Sequence, residues 1–161
     1  MKQIILVFGP ICSGKTTYCQ KLGYAYPDSK YFKVSDIVRE LTQQVVRSEL
    51  QKTSKLATDI AASLMSKIDD ALSKPEYRHV IIDGIRQYEI VRLLVSYYGL
   101  ENISMVWLEV PIEIREERYK VLSRDRDNIS FKDANDNDAK LGLSELERAL
   151  KTTFEIIHNY E

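Results

Sequence analysis

Short runs of consecutive apolar residues alternate along this chain with longer stretches whose apolar positions recur every three or four residues. The runs cover residues 3–8, 31–34, 79–83, 104–110 and 153–158. Each is short and the first four end at Gly, Pro, Asp or Ser, which predicts a strand; an unbroken apolar run predicts burial on both faces. The stretches between them predict helices. Leu56, Ile60, Leu64, Ile68 and Leu72 recur every fourth residue with Ala57 and Ala61 beside them, a single apolar stripe closed by Pro75. Residues 87–98 end at Gly99, a helix with a C-terminal glycine, and 112–122 form a charged helix. A polar helix is expected after residue 34 with Ser35 as its N-cap, and Ser144-Glu-Leu-Glu147 reads as a capping box. Residues 124–138 are polar and aperiodic, hence loop or lid. Strands alternating with helices imply an α/β, three-layer architecture: a parallel sheet with helices on both faces and the strand C-termini along one edge.

One connection carries a motif. Between the first strand and the helix that follows it stands Gly9-Pro-Ile-Cys-Ser-Gly14-Lys15-Thr16, which fits G-x-x-x-x-G-K-[ST] in the context that motif requires. Glycines let the backbone curl until its N–H groups face inward, and the helix adds its N-terminal partial positive charge. Gly9, Pro10, Ile11, Cys12, Ser13, Gly14, Lys15, Thr16 and Thr17 are therefore the expected cradle of a nucleotide triphosphate. Lys15 is expected to meet the β- and γ-phosphates and Thr16 to ligate Mg²⁺. Asp83 closes an apolar strand as a Walker B carboxylate does, and is expected to hold Mg²⁺ opposite Thr16; an Asp capping the next turn would look the same. Arg86 follows it, either projecting into the same cleft or pointing to solvent.

Two further sets bear charge in a useful pattern. Asp36 and Arg39 lie three apart on one helix face, which fits acceptor binding and equally fits a surface ion pair. Arg47 stands farther along the same region. Arg115, Arg118, Arg124 and Arg126 form the densest arginine group, suited to the charge that builds during phosphoryl transfer but interleaved with acids. Asp133, Asp136 and Asp138 read as a solvated loop, and His79 and His158 as structural.

Composition narrows the setting. At 161 residues the chain is expected to form one domain, and its formal net charge of −1 supplies no global basic field for non-specific polynucleotide binding. Cys12 and Cys19, with no second Cys/His cluster, suggest thiols in a reducing compartment rather than zinc or a disulfide framework. The first apolar run is too short for a signal peptide and no segment reaches membrane-spanning length, so a cytoplasmic protein without a membrane partner is expected.

With these residues in view, the chain resembles the nucleoside monophosphate kinase group of P-loop proteins over nearly its whole length. Residues 9–16 look like the group's phosphate loop, Ser35-Asp36-Ile-Val-Arg39 like its acceptor-binding segment, and Asp83-Gly-Ile-Arg86 like its Asp-Gly/Arg segment. Arg118, Arg124 and Arg126 resemble its lid arginines, Arg118 on the ATP side. Arg47-Ser-Glu-Leu-Gln51 is similar to a stretch of phage-type deoxynucleotide kinases. The resemblance implies a five-stranded parallel sheet, a helical acceptor-binding insert at 36–75, a short lid at 124–138, ATP and Mg²⁺. It implies a kinase whose acceptor is a (deoxy)nucleoside monophosphate, with Lys15, Asp36, Arg39, Asp83, Arg86, Arg124 and Arg126 in the reaction.

Other acceptors stay open. The pattern also looks like small phage kinases acting on 5-hydroxymethyluracil in DNA, which would work in a host cytoplasm, and Asp36-x-x-Arg39 is similar to the acceptor pair of polynucleotide 5′-hydroxyl kinases. A hydroxyl acceptor needs a base, for which Asp36 is placed. Dephospho-coenzyme A kinase and a nucleotide-binding switch with no acceptor complete the alternatives.

Overall fold

The computed structural model describes residues 3–43, 54–122 and 129–159. Five strands, β1 (Gln3–Phe8), β2 (Ser29–Lys33), β3 (His79–Asp83), β4 (Ile103–Glu109) and β5 (Glu155–His158), form one sheet in the order β2-β3-β1-β4-β5. Every neighbouring pair is parallel. The central strand shows why an unbroken apolar run was needed. Ile4, Leu6 and Phe8 enter the larger core on one face, while Ile5 and Val7 enter a smaller core on the other.

Helices cover both faces. The smaller core is closed by α1 (Lys15–Ala25), whose Cys19 packs with Ile81, Val106 and Leu108. The larger core is closed by α2 (Val34–Thr42), α3 (Ser54–Ser73), α4 (Tyr88–Tyr98) and α7 (Ser144–Leu150). On the edge near the strand C-termini lie α5 (Ile112–Val121) and α6 (Phe131–Asp138). The stripe of α3 lies in the larger core, with Leu56, Ile60, Leu64 and Ile68 all buried, so much of residues 36–75 forms a layer of the core. Leu64 is 0% exposed. Leu64→Ala should lower unfolding free energy by about 2–5 kcal/mol, the transfer term plus the cavity left behind. Denaturant unfolding measures it, and a loss below about 1 kcal/mol would mean that α3 is not part of the cooperative core.

Three local expectations are corrected. Ser35 does not cap α2: the helix starts two residues earlier than such a cap would place it, directly off β2, with Lys33 at the N-cap and no side-chain cap bond. Burial of Val34 and Ile37 in the larger core leaves no room for a capping turn. The second half of the 124–138 stretch is helix α6, not loop. Ser130 caps it, its Oγ accepting from the Asp133 N–H at 3.1 Å. Finally, α7 does open at Ser144, but Ser144 is its first residue and not its cap: it is itself helical (φ −64°, ψ −40°), fed by a wide turn over Ala139–Leu143 that kinks at Gly142 (φ 114°).

The sheet's C-terminal edge gathers the chemistry. Val7 and Lys33 both pair with Asp83 in register, so the loop after β1, the end of β2 and the end of β3 sit level. Connections leave β1 towards β2 and β4 towards β5, in opposite directions, which opens a crevice outside the β1 terminus. Cys12 and Cys19 are both buried and form no disulfide. Burial, with the nearby Asp83 carboxylate, pushes the Cys19 thiol well above its ordinary range, so it behaves as an inert core group. No described helix is long and apolar enough to cross a membrane.

Candidate functional site

Two left-handed positions shape the loop after β1, Cys12 (φ 62°) and Gly14 (φ 85°). The second suits glycine for another reason: a Cβ there would stand 2.6 Å from Asn159 Nδ2. At Gly9 a Cβ would stand 2.5 Å from the Ser13 Oγ, which is itself buried without a partner among the described residues. Lys15 opens α1 and folds back over the loop, its Nζ donating to Gly9 O at 2.8 Å and Pro10 O at 3.2 Å.

The outer side of the loop is pinned by three side chains from distant parts of the chain. Arg115 Nη1 donates to Ile11 O (3.3 Å), Arg118 Nη1 to Cys12 O (3.1 Å), and Asn159 Nδ2 to Ser13 O (2.9 Å). A trans peptide sets each N–H opposite its carbonyl. Pinning three successive carbonyls therefore turns the following N–H groups away from the braces; that of Ser13 donates to Pro10 O at 3.1 Å, which leaves those of Cys12 and Gly14, and the first-turn N–H groups of α1 continue the series. That is how a backbone with no net charge becomes an anion cradle. Arg118 also donates from Nη2 to Asn159 O at 2.8 Å, tying the end of the sheet to the loop. Arg115 is buried; its Nε donates to Val110 O and its guanidinium lies 5.6 Å from the Phe131 ring. Burial lowers its pKa from the usual arginine range, which still leaves it charged at neutral pH.

Across the crevice, Asp83 is buried and its Oδ2 accepts from Thr16 Oγ1 at 3.2 Å and from Tyr31 OH at 2.6 Å. Burial first, then the bond to Asp83, pushes the Tyr31 hydroxyl above its ordinary value, so it remains a donor. Around this pair opens a cleft of about 280 Å³. Lys15, Lys21, Lys33, Arg86 and Arg118 line it, with Asp83 as its one carboxylate among the described residues.

The sequence model of the AAA domain family matches residues 5–141, which include the loop, Asp83 and the arginine helix. The chain belongs to that family. Its sheet is the five-stranded parallel sheet of a P-loop nucleotide-binding fold, here with the phosphate loop between β1 and α1. A UPF0200/UPF0201 protein of Archaeoglobus fulgidus is 29% identical over the whole of this chain, which spans about half (52%) of that relative. A UPF0200 protein of Thermococcus onnurineus is 28% identical, over 85% of this chain and 77% of the relative.

Within this AAA domain the remaining expected residues fall into three groups. Thr16, Thr17, Ser35 and Arg86 line the cleft, Arg86 held through its Nε by Asp138 Oδ1 at 2.7 Å. Asp36 and Arg39 are ion-paired with each other on the exposed start of α2 and do not line it. Arg47, Arg124 and Arg126 lie outside the described residues. Sequence reading passed over Lys21, Lys33, Tyr31 and Asn159, and took Asp138 as solvated although only 6% of it is exposed. Only the register with Asp83, which the structure supplies, places Lys33: a residue ending an edge strand beside the strand of Asp83 reaches the same cleft.

Proposed function

We propose that this domain transfers the γ-phosphate of ATP to an acceptor that carries a phosphate of its own, a (deoxy)nucleoside monophosphate. The observation that carries the reading is the charge of the cleft: among the described residues, Lys15, Lys21, Lys33, Arg86 and Arg118 line it together with the single carboxylate Asp83. Triphosphate and monophosphate together bring several negative charges, and a site for both needs cations on each side of the transferring group. A nucleotide switch with no acceptor has no use for the cations beyond the loop, Lys21, Lys33 and Arg86.

The residues divide the work accordingly. The loop's inward N–H groups bind the donor phosphates and Lys15 follows the β- and γ-oxygens. Thr16 Oγ1 and Asp83 Oδ2, two hard oxygens 3.2 Å apart at a helix N-terminus, fit Mg²⁺, which takes few protein ligands and keeps water. When bound there it neutralises charge on the phosphate oxygens. An acceptor phosphate oxygen attacks the γ-phosphorus as the bond to the β–γ bridging oxygen breaks, and ADP leaves. The attacking group has a second pKa of about 6 and is ionised at neutral pH, so no side chain need take a proton. Arg86 neutralises the acceptor and Arg118 keeps the loop in shape.

This reading assigns Asp36 no proton to remove, in keeping with its exposed pairing with Arg39. Asp36→Asn should therefore lower turnover no more than about tenfold, whereas loss of a general base costs roughly 10²-fold or more. The direct experiment follows labelled γ-phosphate from ATP, with Mg²⁺, into two acceptor sets. One is a panel of ribo- and deoxynucleoside monophosphates; the other is duplex DNA with and without 5-hydroxymethyluracil, plus 5′-hydroxyl oligonucleotides. Label in a nucleoside diphosphate supports the proposal. Label only in the polynucleotide, with a large Asp36→Asn effect, would replace it by a hydroxyl-acceptor kinase.

A further inference from the structure

Helix α6 looks like surface in the sequence, since five of the eight residues of Phe131–Asp138 are Asp or Asn. Its inward face runs Phe131, Ala134, Asn135, Asp138, at helical spacing. Phe131 joins a small core with Cys12 and Tyr119, and Ala134 packs against it. The two polar members each take an arginine: Asn135 Oδ1 accepts from Arg115, the brace of the phosphate loop, at 2.7 Å, and Asp138 Oδ1 accepts from Arg86 Nε at 2.7 Å. One helix face thus touches both the donor loop and the acceptor side of the cleft.

We propose that Asp138 is a positioning residue that holds Arg86 by its Nε so that the two terminal nitrogens of the guanidinium are presented to the phosphate of the acceptor. The inference rests on the phosphate-acceptor reading above and extends it to a residue outside the cleft. Three observations carry it. Arg86 lines the cleft, and among the described residues its Nη1 and Nη2 have no protein partner, so the fork is available for a bidentate anion. Asp138 keeps only 6% of its surface and its Oδ2 is buried without a partner among the described residues. A buried carboxylate oxygen left unsatisfied is a cost that folds accept mainly where a side chain's position matters more than its stability. Gly142 completes the clamp. In its left-handed conformation it lets the turn after α6 close on the Arg86 backbone, where a Cβ would sit 3.2 Å from Arg86 O. Without these holds Arg86 is a flexible side chain that must be ordered anew by each acceptor, at a cost in affinity.

The test uses the full chain and the monophosphate that accepts label best. Asp138→Asn is expected to lower kcat/KM for that acceptor roughly 10- to 30-fold, chiefly through KM, while ATP binding measured by calorimetry changes by less than about twofold. Because the effect runs through Arg86, the same substitution made on Arg86→Lys, which lacks Nε and the fork, should cost less than about threefold. Thermal melting of each variant accompanies the kinetics. Equal losses in ATP binding and acceptor use, or an undiminished loss in the Arg86→Lys background, would overturn the positioning role and leave Asp138 a structural residue. If the wild-type protein transfers label to no monophosphate, the phosphate-acceptor reading fails and takes this inference with it; wild-type transfer without the split in Asp138→Asn defeats this inference alone.

Discussion

Lys15→Met is expected to lower phosphoryl transfer roughly 10³-fold while the protein stays folded. The wild-type ammonium lies over the loop it follows, donating to Gly9 O and Pro10 O. Those carbonyls are neutral acceptors, and a triphosphate offers charged oxygens that make shorter, stronger bonds to the same donor. The ammonium is therefore expected to leave the carbonyls for the β- and γ-oxygens when ATP enters, and to stay with the γ-group while its charge shifts towards the leaving oxygen. Methionine keeps the stem and removes the charge. Pro10 O keeps the Ser13 N–H as a donor at 3.1 Å, while Gly9 is buried and its carbonyl loses one bond, so stability should fall by about 1–2 kcal/mol with the fold kept. Kinetics separates two roles. A fall in kcat places the ammonium on the moving group, whereas a rise in the KM for ATP with kcat kept makes it a ground-state anchor. A loss in kcat/KM below about tenfold, in a folded variant, would remove Lys15 from the mechanism.

What could be read from the sequence, and what could not, follows the range of the interactions. The β1 run and the α3 stripe were legible because burial leaves a local mark, an unbroken apolar run for a strand covered on both faces and a period of about four for this helix. The loop was legible because its glycines and Lys15 are neighbours in the chain. Its braces were not, since Arg115, Arg118 and Asn159 stand 104, 106 and 146 residues from the carbonyls they hold. Spacing placed Arg115 and Arg118 on one helix face but could not say that this face looks at the loop. Helix α6 failed for the opposite reason: its period is present, but half of the inward positions are Asn and Asp, so a polar face buried by ion pairing passed for a solvated one. Start and stop signals misled where the chain never leaves order. Neither Ser35 nor Ser144 caps a helix because strand or helix already occupies the preceding residues.

Asp83→Asn is expected to cost transfer roughly 10²-fold or more, yet to leave ATP binding in the absence of metal unchanged or tighter. The asymmetry comes from the sign of the charge. Asp83 is the one carboxylate in the cleft among the described residues, so without a cation between them it repels the triphosphate. Two unit charges about 8 Å apart at an effective dielectric of about 20 repel by about 2 kcal/mol, and salt reduces this. Asparagine removes the repulsion and, with it, the anionic partner that Mg²⁺ needs opposite Thr16. The fold should tolerate the exchange. Tyr31 OH and Thr16 Oγ1 both donate to Oδ2, at 2.6 and 3.2 Å, and an amide oxygen in that position can accept from both, with the amide nitrogen taking the place of Oδ1. A cost of about 1 kcal/mol in stability is the expected scale. Titrating ATP binding with Mg²⁺ then divides the possibilities: the wild type gains affinity as metal is added and the variant gains little. If metal-free binding collapses together with transfer, Asp83 shapes the cleft and does not hold the ion, and the metal must be sought among other oxygens.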